Sequence, residues 1–103
     1  MAVLKINKDN FEKEVLNSTK PVLIDFWATW CAPCMMMSPV VDEIGEEFEQ
    51  YKICKINVDQ EPELANRFKI MQIPNFIIIN NGKIVDQKIG MCSKEDLLNL
   101  LLI

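Results

Sequence analysis

Two cysteines three positions apart, Cys31 and Cys34, lie in the stretch FWATWCAPCMMMSP, residues 26–39, directly after a tryptophan and ahead of three methionines. A thiol pair at this spacing supports either disulfide exchange or metal ligation. At the start of a helix, free backbone N–H groups and the positive dipole end favour a thiolate over a thiol. Cys34, one turn further on, would share a helix face with Cys31 and lie within reach of it. An exposed Cys31 thiolate could then attack a disulfide in another protein, and Cys34 would resolve the mixed disulfide. Pro33 has no N–H to donate and a fixed φ, which suits a first helical turn and stiffens the loop between the thiols. A structural zinc site needs a second pair of ligands, whereas the chain has no histidine and no second Cys-x-x-Cys, and Cys54 and Cys92 stand apart. A purely structural bridge over three positions restrains the unfolded chain little.

The elements around this stretch must bring the thiols to a strand-to-helix junction. PVLIDFWA, Pro21 to Ala28, is a nearly continuous apolar run that suits a strand buried on both faces. After Cys34, the residues Met37, Val41, Ile44 and Phe48 recur at helical spacing. Upstream, Val3 to Ile6 reads as a strand and about Lys8 to Asn17 as a helix with Phe11, Val15 and Leu16 on one side. Downstream come a strand over Tyr51 to Val58 and a short helix from about Pro62 to Phe68, with proline at its start and Arg67 near its end. NFIIIN and KIVDQKI flank Asn81-Gly82, a two-residue hairpin signal. Ser93 with Asp96 forms a capping-box pattern, and Leu97, Leu98 and Leu101 face the core of a closing helix. The order βαβαβαββα predicts an α/β fold: a mixed five-stranded sheet flanked by four helices.

The chain has 103 residues, half of them apolar, which predicts a single domain spanning 1–103. With 11 basic against 15 acidic side chains, a net charge of −4 and no basic block, nothing provides an electrostatic grip on nucleic acid or on an anionic membrane. Charges at Lys5, Asp9, Glu12 and Glu14 interrupt any apolar leader, and no run is long enough to span a bilayer. The expectation is a cytoplasmic protein.

Over essentially its whole length the chain resembles the thioredoxin family. DFWATWCAPC is similar to the family's Trp-Cys-Gly-Pro-Cys signature and the residues before it, KINVDQEPELANRFKIMQIPNF resembles the segment leading to its cis-proline, and NNGKIVDQKIG resembles its last hairpin. The resemblance implies the thioredoxin fold and a monomeric protein-disulfide reductase. It would bind no cofactor itself, and its electrons would come from NADPH through a flavin-containing thioredoxin reductase. Its partners would be that reductase and protein disulfide substrates. Cys31 would be the nucleophile and Cys34 the resolving thiol of a redox-active disulfide, with no metal. Asp25 would be the buried carboxylate behind them and Lys55 the lysine that tunes it. Trp30, Ala32, Pro33, Ile73, Pro74 and Gly90 would form the substrate-binding surface. Physical chemistry supports the assignment of Asp25: a carboxylate inside VLIDFW is costly to bury charged, so its pKa should rise and it could carry a proton for Cys34. The alternatives are an Asp25 satisfied by backbone donors, a Lys55 with an exposed tip, and a Pro74 that merely opens a strand. Trp27 is expected in the core, and Pro39 is expected to bend the long helix.

The sequence departs from the family pattern at Ala32, Met35, Gln72 and Asn75. A thioredoxin-fold oxidant or isomerase, a glutathione-dependent relative and a redox-dependent binding module are the rival readings. Met35, Met36 and Met37 offer an adaptable apolar surface, with Met37 in the core, and Cys54 and Cys92 are expected to be inert. Met35 stands where the family often has lysine, and a nearby cation favours a thiolate. Titration of Cys31 by alkylation rate should therefore give a lower pKa in Met35→Lys than in the wild type; an equal or higher value would count against this reading.

Overall fold

The computed structural model describes residues 3–102. Five strands, β1 (Val3–Lys5), β2 (Val22–Trp27), β3 (Lys52–Asn57), β4 (Asn75–Asn80) and β5 (Lys83–Ile89), form one sheet in the order β1-β3-β2-β4-β5. β3 runs parallel to both β1 and β2, whereas β4 is antiparallel to β2 and β5 to β4. The helices are α1 (Ala32–Glu47), α2 (Pro62–Arg67), α3 (Lys94–Leu101) and a single turn of π-helix, Glu12–Leu16. This is the thioredoxin fold.

The apolar run of β2 is buried on both faces because strand side chains alternate. Val22, Ile24 and Phe26 join Cys54, Ile56, Ile77 and Ile79 in the layer closed by Phe11, Val15 and Leu64. Leu23, Ile53, Phe76 and Ile78 meet Met37, Val41 and Ile44 of α1 and Leu97 and Leu101 of α3 on the other face. The hairpin turn takes the predicted residues: Asn81 and Gly82 have φ of 53° and 77°, the paired positive values that match strand twist. β5 is exposed along its whole length, and Lys83, Asp86 and Lys88 keep charge on this sheet edge.

The first helix is shorter than its periodicity predicts. The side chain of Asn7 accepts the N–H groups of Asp9 at 2.8 Å and Asn10 at 3.1 Å, holding Lys8 to Asn10 in a turn. The next turn is π-helical: Asn17 N–H donates to the Glu12 carbonyl five residues back, at 2.9 Å. Phe11 and Val15 are buried as expected; Leu16 is only half-buried.

No helix among the described residues is long and apolar enough to cross a membrane. α3 closes the layer above Phe76, with Ser93 Oγ accepting the Asp96 N–H at 3.0 Å and Asp96 Oδ2 accepting the Ser93 N–H at 3.1 Å. Lys94 extends from the same turn to Glu43 and Glu47 of α1. Removing the cap with Ser93→Ala should cost about 1 kcal/mol. Truncating the fully buried Leu97 to alanine should cost about 3 kcal/mol. Urea titration should show lower midpoints with unchanged slopes, the alanine at 97 having the larger effect.

Candidate active site

β2 ends at Trp27 and the chain turns through Ala28, Thr29 and Trp30 into α1, whose N-cap is Cys31. Cys31 has extended backbone angles, φ −92° and ψ 103°, so its sulfur points back over the helix start. There it accepts the Cys34 N–H at 3.1 Å. That bond places electron-rich sulfur on one of the four N–H groups a helix leaves unsatisfied. Cys31 and Cys34 are joined in a disulfide, their Cα atoms 5.2 Å apart. Pro33 lies in the first turn, where its missing N–H costs nothing, and Ala32 and Pro33 are exposed.

The expected exposed thiolate differs in this form: Cys31 is 4% exposed and Cys34 2%. The bridged sulfurs pack with Ala28 against Trp27, Val58 and Ile73, which covers all but an edge. Beside that edge lies the Ile73 carbonyl, 3.9 Å from Cys31 Sγ. The Ile73–Pro74 peptide bond is cis, and the Pro74 carbonyl accepts the Gly90 N–H at 2.8 Å. Gly90 has φ of +91°, a conformation costly for other residues, and nothing stands within 4 Å of where its Cβ would be. The Ile73 carbonyl and the helix tip thus meet at the disulfide, and Gly90 is joined to that segment through Pro74.

Trp30 is 69% exposed, and its indole N–H donates to Asp59 Oδ2 at 2.8 Å. Sequence reading missed Asp59. The loop carrying it is held by Asn57 Oδ1, which accepts the N–H groups of Asp59 at 2.9 Å and Gln60 at 3.3 Å. An Asn-x-Asp after a strand is a turn signal, but its pairing with a tryptophan 29 positions away is invisible in one dimension. Trp27, expected in the core, is half-buried, because it packs beside the disulfide and 5.9 Å from the Lys55 ammonium.

Asp25 is 1% exposed, and its Oδ1 has no hydrogen-bond partner among the described residues. The alternative of a carboxylate satisfied by backbone donors does not hold for that oxygen. Burial pushes its pKa from 3.8 up to about 7, with Lys55 pulling it down and Asp42 adding to the rise. Lys55 lies directly opposite Asp25 in the β2–β3 register. Its tip is not exposed: the side chain is 18% accessible, and Nζ donates to Ser38 Oγ at 2.6 Å and lies 3.4 Å from Asp42 Oδ1. Ser38 and Asp42 were also missed as site residues. They follow Cys34 at successive i+4 steps along α1, a spacing that does carry the signal.

The remaining residues stand apart from this cluster. Cys54 is fully buried and burial lifts its thiol to about 12; Cys92 is half-buried, and burial raises its thiol too. Met37 is core, whereas Met35 and Met36 are exposed beside the helix tip. Pro39 lies inside α1. Asn75 is buried, its Oδ1 accepting Gln87 Nε2 at 3.0 Å and linking β4 to β5, while Gln72 is exposed.

Residues 2–102 match the thioredoxin family model. The chain is 46% identical over 102 residues to a thioredoxin of Pyropia yezoensis, covering 98% of this chain and 95% of that one. It is 46% identical over 87 residues to a thioredoxin of Chlorobaculum thiosulfatiphilum, covering 84% and 81%, and 42% identical over 95 residues to one of Rickettsia felis, covering 91% and 90%.

The elevated pKa of Asp25 makes stability depend on pH in a definite direction. Between 3.8 and about 7 the folded chain holds a proton that the unfolded chain has released, so stability falls as pH rises through that window. At about 1.4 kcal/mol per pH unit the full difference is about 4 kcal/mol. Asp25→Asn should remove this dependence and be more stable than the wild type at pH 8 by about 2–4 kcal/mol, measured by denaturation of the oxidised proteins at pH 5 and pH 8. Parallel pH profiles for the two proteins would refute the assignment.

Proposed function

The chain belongs to the thioredoxin family of disulfide oxidoreductases, and from that premise we propose that it works as a protein-disulfide reductase, with residues 1–103 acting as one domain and as a monomer. The observation that carries the reading is the Cys31–Cys34 disulfide at the tip of α1, with the Cys34 N–H on Cys31 Sγ and the Ile73 carbonyl alongside. In the reduced form, Cys31 attacks one sulfur of a substrate disulfide as a thiolate stabilised by the helix start. A bond forms between Cys31 and that sulfur, and the other substrate sulfur leaves and takes a proton. Cys34 then gives its proton to Asp25 and attacks Cys31 Sγ; the Cys31–substrate bond breaks, the second substrate sulfur leaves as a thiolate that takes up a proton, and the Cys31–Cys34 bond closes. Two electrons have passed to the substrate.

A carboxylate whose pKa is near 7 can take a proton from a thiol and return it within the working pH range, and Lys55 tunes that balance. Substrate would lie in extended form along Ile73 and Pro74, with Gly90, Ala32 and Pro33 leaving room for its backbone and Trp30 giving flat apolar contact. The dithiol would be restored by a flavin-containing thioredoxin reductase drawing on NADPH, in a reducing compartment such as the cytoplasm.

With a disulfide-bonded substrate protein, Cys34→Ser should accumulate a mixed disulfide through Cys31, seen as a thiol-reversible adduct on a gel, and Cys31→Ser should form none. An adduct in Cys31→Ser would overturn the assignment of roles. The potential of the pair, read by alkylation in defined thiol–disulfide buffers, separates reductase from oxidant. About −270 mV is the reference value for thioredoxin itself, not one deduced from this chain, and a result near it supports the reductase; a value at or above about −180 mV would make the chain an oxidant or isomerase.

A further inference from the structure

One row of residues crosses the entire sheet beneath α1 and α3: Lys5, Lys55, Asp25, Phe76 and Lys88, on β1, β3, β2, β4 and β5 in turn. Directly paired residues in neighbouring strands project from the same face, so Lys55 and Asp25 enter the same layer side by side. The lysine tip has two places to end, the unpartnered Asp25 Oδ1 or the helix above. It ends on the helix, with Nζ on Ser38 Oγ at 2.6 Å and near Asp42 Oδ1 at 3.4 Å. Ser38 and Asp42 are one turn apart, so both reach the same ammonium. The Asp42 side chain is 58% exposed, which weakens its pull by solvent screening, while Ser38 is half-buried and makes the shorter contact. Beside them a cavity of about 290 Å³, lined by Val3, Lys5, Trp27, Asp42, Lys55 and Asn57, leaves the lysine tip room to move.

We propose that Ser38 is a positioning residue whose hydroxyl, together with Asp42, tethers the Lys55 ammonium to α1 and holds it off the Asp25 carboxylate. Untethered, a four-carbon side chain rooted opposite Asp25 would bring its charge to Asp25 Oδ1, which has no hydrogen-bond partner among the described residues. An opposite charge at close range favours the carboxylate over the acid, so the tether keeps Asp25 able to accept and return a proton near neutral pH. The charged groups around Asp25 fit this account. β3 supplies Lys55 and α1 supplies Asp42, with Cys34 of α1 locked in the disulfide. β4 presents only Phe76. Further along the row, Lys5 and Lys88 are exposed, and Lys88 acts on Cys92 next to Asp96 of α3.

The inference rests on Asp25 serving as the proton carrier, but its test does not. In the oxidised protein both cysteines are bonded, so Asp25 titrates uncoupled from them and can be followed by its ¹³C carboxyl shift. Ser38→Ala retains a strong helix former, and its Asp25 midpoint should fall by about one pH unit. In a Lys55→Gln background, the same Ser38→Ala change should leave the midpoint where Lys55→Gln alone puts it. A midpoint unchanged or raised by Ser38→Ala, or an equal fall in both backgrounds, would overturn the tether. Failure of the catalytic reading would show elsewhere, as an undiminished rate of mixed-disulfide resolution in Asp25→Asn.

Discussion

Asp25 sits in the middle of β2, the central strand of the sheet, with β3 on one side and β4 on the other, and its side chain has to enter the layer under α1. Burying a carboxyl with one oxygen unpartnered is costly, because the group gives up its hydration without a full set of hydrogen bonds in return. Phe76 seals one side, α1 lies above, and Lys55 is drawn off to the other side by Ser38 and Asp42. The result is a buried group held mostly neutral below about pH 7, on the strand that leads into the Cys31–Cys34 loop.

The same helix that roofs Asp25 carries the thiols at its tip. Its start is where backbone N–H groups lack partners, and the Cys31 sulfur takes one of them. The helix is kept in place from its far side, where Met37, Val41 and Ile44 meet Leu23 and Ile53 of the sheet and Lys94 of α3 reaches Glu43 and Glu47. Packing far from the sulfurs therefore fixes where they lie relative to Ile73 and Pro74, which arrive on a different part of the chain. Exchange chemistry needs this alignment, because attack on a disulfide requires the incoming sulfur to be presented to one thiol and then to the other.

Much of this was legible in one dimension. The run VLIDFW marks a strand buried on both faces, the spacing of Met37, Val41 and Ile44 marks a helix against it, and Asn81-Gly82 and Ser93 with Asp96 announce their turn and cap through backbone preferences that act over about four residues or fewer. The apolar spacing predicts a longer first helix than forms, because spacing is blind to a side chain such as Asn7 that captures N–H groups and holds the chain in a turn. Strand spacing predicts Trp27 in the core, yet it lies at the end of its strand, where it packs against the disulfide loop.

The sequence by itself determined the chemistry available, two thiols at a helix start and a carboxyl inside an apolar strand, because residue type and local spacing specify what can be charged, nucleophilic or buried. Tertiary structure alone decided who faces whom. The pairing of β2 with β3 set Asp25 opposite Lys55, the crossing of α1 brought Ser38 and Asp42 over that lysine, and the loop after β3 delivered Asp59 to Trp30. Contacts of this kind join residues far apart along the chain. They depend on strand register and helix placement, which come from burying the whole apolar set at once and are encoded in no single stretch.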